Sequence, residues 1–241
     1  MSEIEPPACV SSAKAQRLRI RFARGAEARN VGHLDIARVW ERAFQEAGIT
    51  VSYSEGRHPR PRITFASGLP GDATSEGELL DVILAELVSP AEVASRVQPH
   101  LPAGIDLREA FEVGMGLHSL PSLARWADYQ VDLPAESAAD VDERVARLLA
   151  ANELPWEDTR GEKTRRYDLR ALVQTIVVER AGEVTRLRMR LRCESAGVGR
   201  PEQVVLALGL PAPASVHRER LVLTEVSPAR YAWRRRGRFV A

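Results

Sequence analysis

Arg17-Leu18-Arg19-Ile20-Arg21-Phe22-Ala23-Arg24 and, far downstream, Thr185-Arg186-Leu187-Arg188-Met189-Arg190-Leu191-Arg192-Cys193 share one pattern, arginine alternating with an apolar side chain. Successive side chains on an extended chain point to opposite faces, so each stretch predicts a half-buried strand with a basic face. Downstream of the first, Ile36, Trp40, Ala43 and Ala47 recur at helical spacing and Gly48 is a C-cap candidate, which predicts a helix over 33–47. Extended segments are expected at 49–54, 62–66 and 78–86. Ser89, Pro90 and Glu92 supply an N-cap, a first-turn proline and a capping-box acid for a helix reaching residue 100, and 105–113 returns as a strand.

The second stretch sits in a similar order. A strand at 129–133 precedes a helix at 140–151 with Val141, Val145, Leu148 and Leu149 on one face. A short strand at 156–159 follows, then a hairpin of 172–179 and 185–193 around Ala181-Gly182, a helix at 201–208 opened by Pro201, and a strand at 216–224. Both halves read β-α-β-β-β-α-β. The expected fold is therefore α+β, two tandem ferredoxin-like (split βαβ) domains with antiparallel sheets. They cover 16–113 and 128–226, joined by a connection at 114–127 that holds Gly114, Gly116 and Pro121. Residues 1–15 read as a disordered lead-in. Residues 227–241 read as a basic tail in which Arg230, Arg234, Arg235, Arg236 and Arg238 are interleaved with aromatics.

Composition narrows the function. A chain of 241 residues with 44% hydrophobic residues can bury two cores. Its apolar stretches are short and broken by charges, so no membrane span is expected. The acidic, proline-containing start is no signal peptide, and a cytoplasmic location is expected. Cys9 and Cys193 are the only cysteines. They provide neither a disulfide framework nor the three close thiolates that a site-differentiated iron–sulfur cluster needs. No cofactor and no metal is expected. Net charge is +1, and of 34 basic residues only Lys14 and Lys163 are lysine. An arginine-biased genome explains that, as does selection for bidentate anion contacts.

Four segments then stand out: Gly32-His33-Leu34-Asp35, Arg42-Ala43 with Ala47-Gly48, Tyr53-Ser54-Glu55-Gly56 before a proline-rich loop, and Ser75-Glu76-Gly77-Glu78-Leu79. In that order and spacing they resemble the radical-SAM-linked proteins, a family of unknown function whose members stand beside, or fused behind, a large radical SAM protein. Asp168-Leu169-Arg170 matches a shorter motif of the same family, and the resemblance covers residues 16–225. It implies a radical SAM protein as partner. Family members usually carry Gly-Phe-x-Pro-His-Pro in the loop. Here the loop reads Gly56-Arg57-His58-Pro59-Arg60-Pro61, so Arg60 takes the place of the family histidine.

The candidate binding residues are Gly32, His33, Asp35, Gly56, Arg57, His58, Arg60, Arg62, Ser75, Glu76 and Glu78. A helix start beside glycine offers free N–H groups to an anion, although Asp35 there is also plain helix stabilisation. Prolines stiffen the Arg57–Arg62 loop and reduce the entropy lost in presenting its cations; a solvated turn is the plain alternative. Glu76 and Glu78, two apart on an extended chain, share a face. Acid–base work or a salt bridge would each suit them. All three segments are expected to line one cleft. Arg186, Arg188, Arg190 and Arg192 are candidate nucleic-acid contacts on an uncovered sheet face, against the alternative of a face neutralised by nearby acids. No stacking aromatic alternates with them, which argues against sequence-specific readout. Three functions are open: a non-catalytic accessory module contacting RNA or a ribonucleoprotein, a metal-independent RNA-processing enzyme using His33 or His58, and a protein–protein scaffold.

Overall fold

The basic strand predicted at 17–24 forms as β1 (Gln16–Arg24), and its apolar face seals one core. Leu18, Ile20 and Phe22 are almost wholly buried against Ile36, Trp40, Ala43 and Phe44 of α1 (His33–Glu46). Phe22 meets Trp40 edge to face with ring centroids 5.1 Å apart. A computed structural model gives this fold and describes residues 11–29, 31–134, 140–161, 163–182, 184–194 and 196–224.

β1 runs antiparallel to β3 (Thr74–Leu84) on one side and to β4 (Ile105–Glu112) on the other. The short β2 (Ile63–Phe65) pairs with the outer edge of β3, and α2 (Pro90–Val97) leads into β4. Ser89 caps α2 by accepting the Glu92 N–H, as the capping-box pattern predicts. The order in this half is β2-β3-β1-β4. In the second half β5 (Ala124–Leu133) lies between β9 (Val184–Glu194) and β11 (Ser215–Leu223). β8 (Val173–Ala181) and the two-residue β10 (Gly197–Val198) share the outer edge of β9. The order here is β8-β9-β5-β11, the same plan. Val141, Val145 and Leu148 of α4 (Val141–Ala150) and Val204 and Val205 of α5 (Pro201–Ala207) cover the apolar face.

The result is a mixed α+β protein on one large, mostly antiparallel sheet. Two separate sheets were expected. Instead β11 lies parallel to β3 over His217–Thr74 and Arg218–Ser75, and nine strands form one sheet. The cause is local. β2 covers β3 only at Leu80–Val82, so the Thr74 end of that edge is open for β11. Gly77 makes the approach possible: a Cβ there would lie 2.4 Å from the Glu219 carbonyl oxygen and 2.7 Å from the Arg220 Cα. Both are backbone atoms that no rotamer change can move. Gly77→Ala is therefore expected to cost about 3 kcal/mol, the upper end for overpacking, measured as a shifted urea midpoint.

Other boundaries also differ. Residues 11–15 do not hang free: the Tyr53 N–H donates to the Ser11 carbonyl and the Ala15 N–H to that of Leu84. The connection placed at 114–127 ends early, because α3 (Leu120–Leu123) buries Leu120 and Leu123 and β5 already starts at Ala124. The strand expected at 49–54 reduces to two isolated bridges, Val51–Leu84 and Tyr53–Pro61. β6 (Pro155–Arg160) pairs with β7 (Lys163–Asp168), which the sequence reading missed, in a ribbon outside the main sheet. Cys9 and the tail arginines lie outside the described residues.

Candidate functional site

The Ser75-Glu76-Gly77-Glu78 motif builds the joint between the halves. Phe22 pairs with Glu78 and Arg24 with Ser75, so β3 carries one extra residue between those two pairs. Such a bulge breaks the alternation and re-aims side chains. Ser75 and Glu78 both turn into the buried side, while Glu76 faces out. The expectation that Glu76 and Glu78 share a face fails for this reason. Ser75 Oγ donates to the Arg218 carbonyl at 2.9 Å. Glu78 holds the wholly buried Arg218 guanidinium through Nε at 2.7 Å and again through Nη2. Arg218 Nη1 also donates to the Gly68 carbonyl at 3.0 Å, and the guanidinium sits over the Tyr129 ring. Burial works against the charge on Arg218, but the opposing effects, chiefly the Glu78 carboxylate, outweigh it and its pKa rises above the ordinary arginine value. Burial also pushes the Tyr129 hydroxyl up to about 12.

The helix-start motif lies at the same end of the sheet. Arg24, paired with Ser75, donates Nε to the Ala28 carbonyl and Nη2 to those of Arg29 and Val31. It thereby fixes the turn that delivers Gly32, whose extended backbone (φ −63°, ψ 164°) N-caps α1. Burial pulls the Arg24 pKa down, and Glu78 offsets this in part. Asp35 is exposed beside Arg38 at 3.6 Å. The His33 side chain lies outside the described residues.

The proline-rich loop does not join these two segments. Arg62 pairs through its backbone with Ser52 and Ile83, so Gly56–Arg62 projects from the edge of β3 near its far end. Tyr53, at the base of the loop, donates its hydroxyl to Glu41 in the second half of α1. Ile83 is eight residues along β3 from Ser75, about 26 Å at strand rise. The expected common cleft of all three segments is therefore absent. Gly56, Arg57, His58 and Arg60 are exposed, and among the described residues those three side chains make no hydrogen bond or ion pair. The Arg62 Nε donates to the Tyr53 carbonyl. In the second half, Asp168 accepts from the Leu154 and Arg170 N–H groups, and Arg170 donates to the Leu149 and Val173 carbonyls. That motif fastens the chain after α4.

The sheet face opposite the helices is rich in paired charges. Arg17 and Arg19 are buried there on the single carboxylate of Asp81. The four-arginine stripe of β9 is more open but largely matched. Arg186 closes on Asp132 at 2.6 Å, Arg188 lies 3.1 Å from both Glu179 and Glu219, and Arg190 forks onto Asp128 at 2.6 and 2.8 Å. Arg220 also reaches Asp128, at 2.7 Å. Burial would raise the Asp128 pKa, but hydrogen bonds from Arg190 and Arg220 together hold it below the usual aspartate value. Between the halves this face sinks into a cleft of about 800 Å³ whose lining includes five arginines (Arg21, Arg108, Arg188, Arg190, Arg220) and three carboxylates (Glu76, Asp128, Glu219). Arg21 and Arg108 carry only long pairs, 3.5 Å to Glu109 and 3.6 Å to Asp106, and are half-exposed. Of the candidate residues named from the sequence, Glu76, Arg188 and Arg190 line this cleft. Among the described residues no group of three or more His, Cys, Asp or Glu side chains could hold a metal ion, and no helix is long and apolar enough to cross a membrane.

Sequence reasoning missed Arg218, Asp81 and Asp128. Two carried a signal: Arg218 follows Val216 at a core-facing step of the last strand, and Asp81 interrupts the apolar run of β3.

A continuous, mostly antiparallel sheet with helices on one face and an arginine-rich cleft on the other defines the class of this molecule. The chain belongs to the family described as "Uncharacterized protein conserved in bacteria (DUF2344)", which matches residues 17–201. Among solved structures it is similar to a chain of a Cbf5-Nop10-Gar1 complex, with 13% identity over 85% of this chain and 48% of that one and a TM-score of 0.45. The chain thus spans about half the length of that relative. It is also similar to an unknown protein from Galdieria sulphuraria, with 16% identity over 80% of this chain and 90% of that one and a TM-score of 0.24. Ferric DtpA from Streptomyces lividans gives 11% identity over 91% and 92% of the two chains and a TM-score of 0.23. No curated protein matches the chain.

Proposed function

We propose that this protein is a non-catalytic accessory module that contacts single-stranded RNA, free or in a ribonucleoprotein, through the cleft on its uncovered sheet face, and that it works with a separately encoded radical SAM protein. The observation that carries the RNA contact is the pair of half-exposed cleft cations Arg21 and Arg108, held only by long pairs to Glu109 and Asp106. Half-exposed pairs of that length contribute about 0–1 kcal/mol, so a phosphate can replace the carboxylate at little cost. The radical SAM partner rests on the motif resemblance alone. Each half follows the split βαβ strand order, and we read the molecule as two ferredoxin-like units fused edge to edge.

Contact with about three phosphates should give a log–log salt slope near −2 for single-stranded RNA. The double variant Arg21→Gln, Arg108→Gln should make that slope shallower by about 1.4, for all sequences alike. Filter binding of a short oligonucleotide across a salt series measures both. A wild-type protein that binds no RNA at low salt would defeat the reading. Capture of the radical SAM protein from native cells, with and without RNase, tests the partner and whether RNA bridges it. The pairing of Arg186, Arg188 and Arg190 with acids of the same chain favours a second reading, a protein–protein scaffold. It expects RNase-resistant capture and no RNA binding.

A further inference from the structure

Two aromatic side chains on the uncovered face, Phe111 beside Arg19 and the less exposed Trp126, belong to neither core. Trp126 pairs across the sheet with Arg192 on β9 and Val222 on β11. It is half-buried and belongs to neither hydrophobic cluster. The Arg192 guanidinium carbon stands 5.8 Å from the centre of the indole ring. Among the described residues Arg192 is the one arginine of the stripe with no carboxylate, and its Nε is buried without a hydrogen-bond partner. β8 pairs with β9 only as far as Leu191; beyond it the Gly199 N–H donates to the Arg192 carbonyl and β10 meets Cys193 and Glu194. Along β9, Arg192 is two residues from Arg190, about 7 Å at strand rise. A π surface and an unneutralised guanidinium thus sit together, one step from the cleft cations.

We propose that Trp126, with Arg192 laid against it, is a stacking platform for an unpaired base of the single-stranded RNA whose phosphates the cleft arginines hold. This rests on the reading of the cleft as an RNA contact. A base brings a flat π face to the platform, and stacking on aromatic or guanidinium planes is tolerant of sequence. The cation beside the indole adds to the stack.

The test compares a short single-stranded RNA with inorganic polyphosphate on the full chain, for wild type, Trp126→Ala and Trp126→Phe. Loss of one stacked base should weaken RNA binding about tenfold in Trp126→Ala. Polyphosphate binding should be unchanged, and Trp126→Phe should retain most of the RNA affinity. Circular dichroism on each variant checks that it is folded. Equal weakening toward RNA and polyphosphate, or no change toward either, overturns the platform and leaves the cleft reading standing. A wild-type protein that binds no RNA overturns both.

Discussion

Replacing Glu78 by glutamine should destabilise the protein by about 3–5 kcal/mol, the usual cost of breaking a buried ion pair by removing one partner. The shape of the side chain is kept, so the loss isolates its charge. Arg218 is 0% exposed, and its remaining neighbours are carbonyls and the Tyr129 ring, none of which carries a negative charge. Arg24 adds a second cation close enough to be felt by Arg218 and Glu78. The damage should be local before it is global. Arg218 and Ser75 form half of the parallel β11–β3 joint, so amide exchange at His217 and Arg218 should quicken at denaturant levels that leave β1 protected. Glu76→Gln, two residues away and exposed, should change stability by less than about 0.5 kcal/mol. The paired change Glu78→Leu, Arg218→Met should cost less than Glu78→Gln alone, since no unpaired charge is left inside. Urea melts of the variants decide it. A Glu78→Gln protein as stable as Glu76→Gln would mean that the pair does not hold the halves together.

Period-two and period-3.6 patterns report what one strand or helix does with its own faces, and at that level the sequence was legible. β1, α1, α2, the β8–β9 hairpin, α5 and β11 form close to where the alternation, the caps and Pro201 put them. The failures concern partners. Nothing in residues 74–84 announces that β11 will lie on that edge, because pairing between strands 143 residues apart leaves no local trace. Hence Ser75 and Glu78 read as ligand contacts when they bind Arg218. The bulge that separates Glu76 from Glu78 is likewise a property of the β1–β3 pair and not of either strand. Trp126 escaped notice because it neighbours the arginine stripe across the sheet and not along it.

The β1 stripe should behave in the opposite way to the cleft arginines. Arg17 and Arg19 look like Arg21 in sequence, yet they are 7% and 6% exposed, and one carboxylate, Asp81 at 3% exposed, serves them both. Arg17 donates Nε and Nη2 to Asp81 at 3.1 and 2.6 Å, and Arg19 donates Nε at 2.8 Å. Arg17 also gathers the Leu117 and His118 carbonyls, which brings the connecting loop over its guanidinium. Asp81→Asn would leave two buried cations facing a neutral amide that can accept only through its single carbonyl oxygen. The expected loss is at least the 3–5 kcal/mol of a broken buried pair, and should be larger because two cations are stranded by one change. The outer pair tests the contrast. Arg21 and Glu109 are about half-exposed and 3.5 Å apart, so Glu109→Gln should cost no more than about 1 kcal/mol. It should also free Arg21 and tighten RNA binding at low salt, an effect that disappears as salt screens it. If Asp81→Asn were as mild as Glu109→Gln, Arg17 and Arg19 would have to be reaching water, and the connection over them would be open in solution.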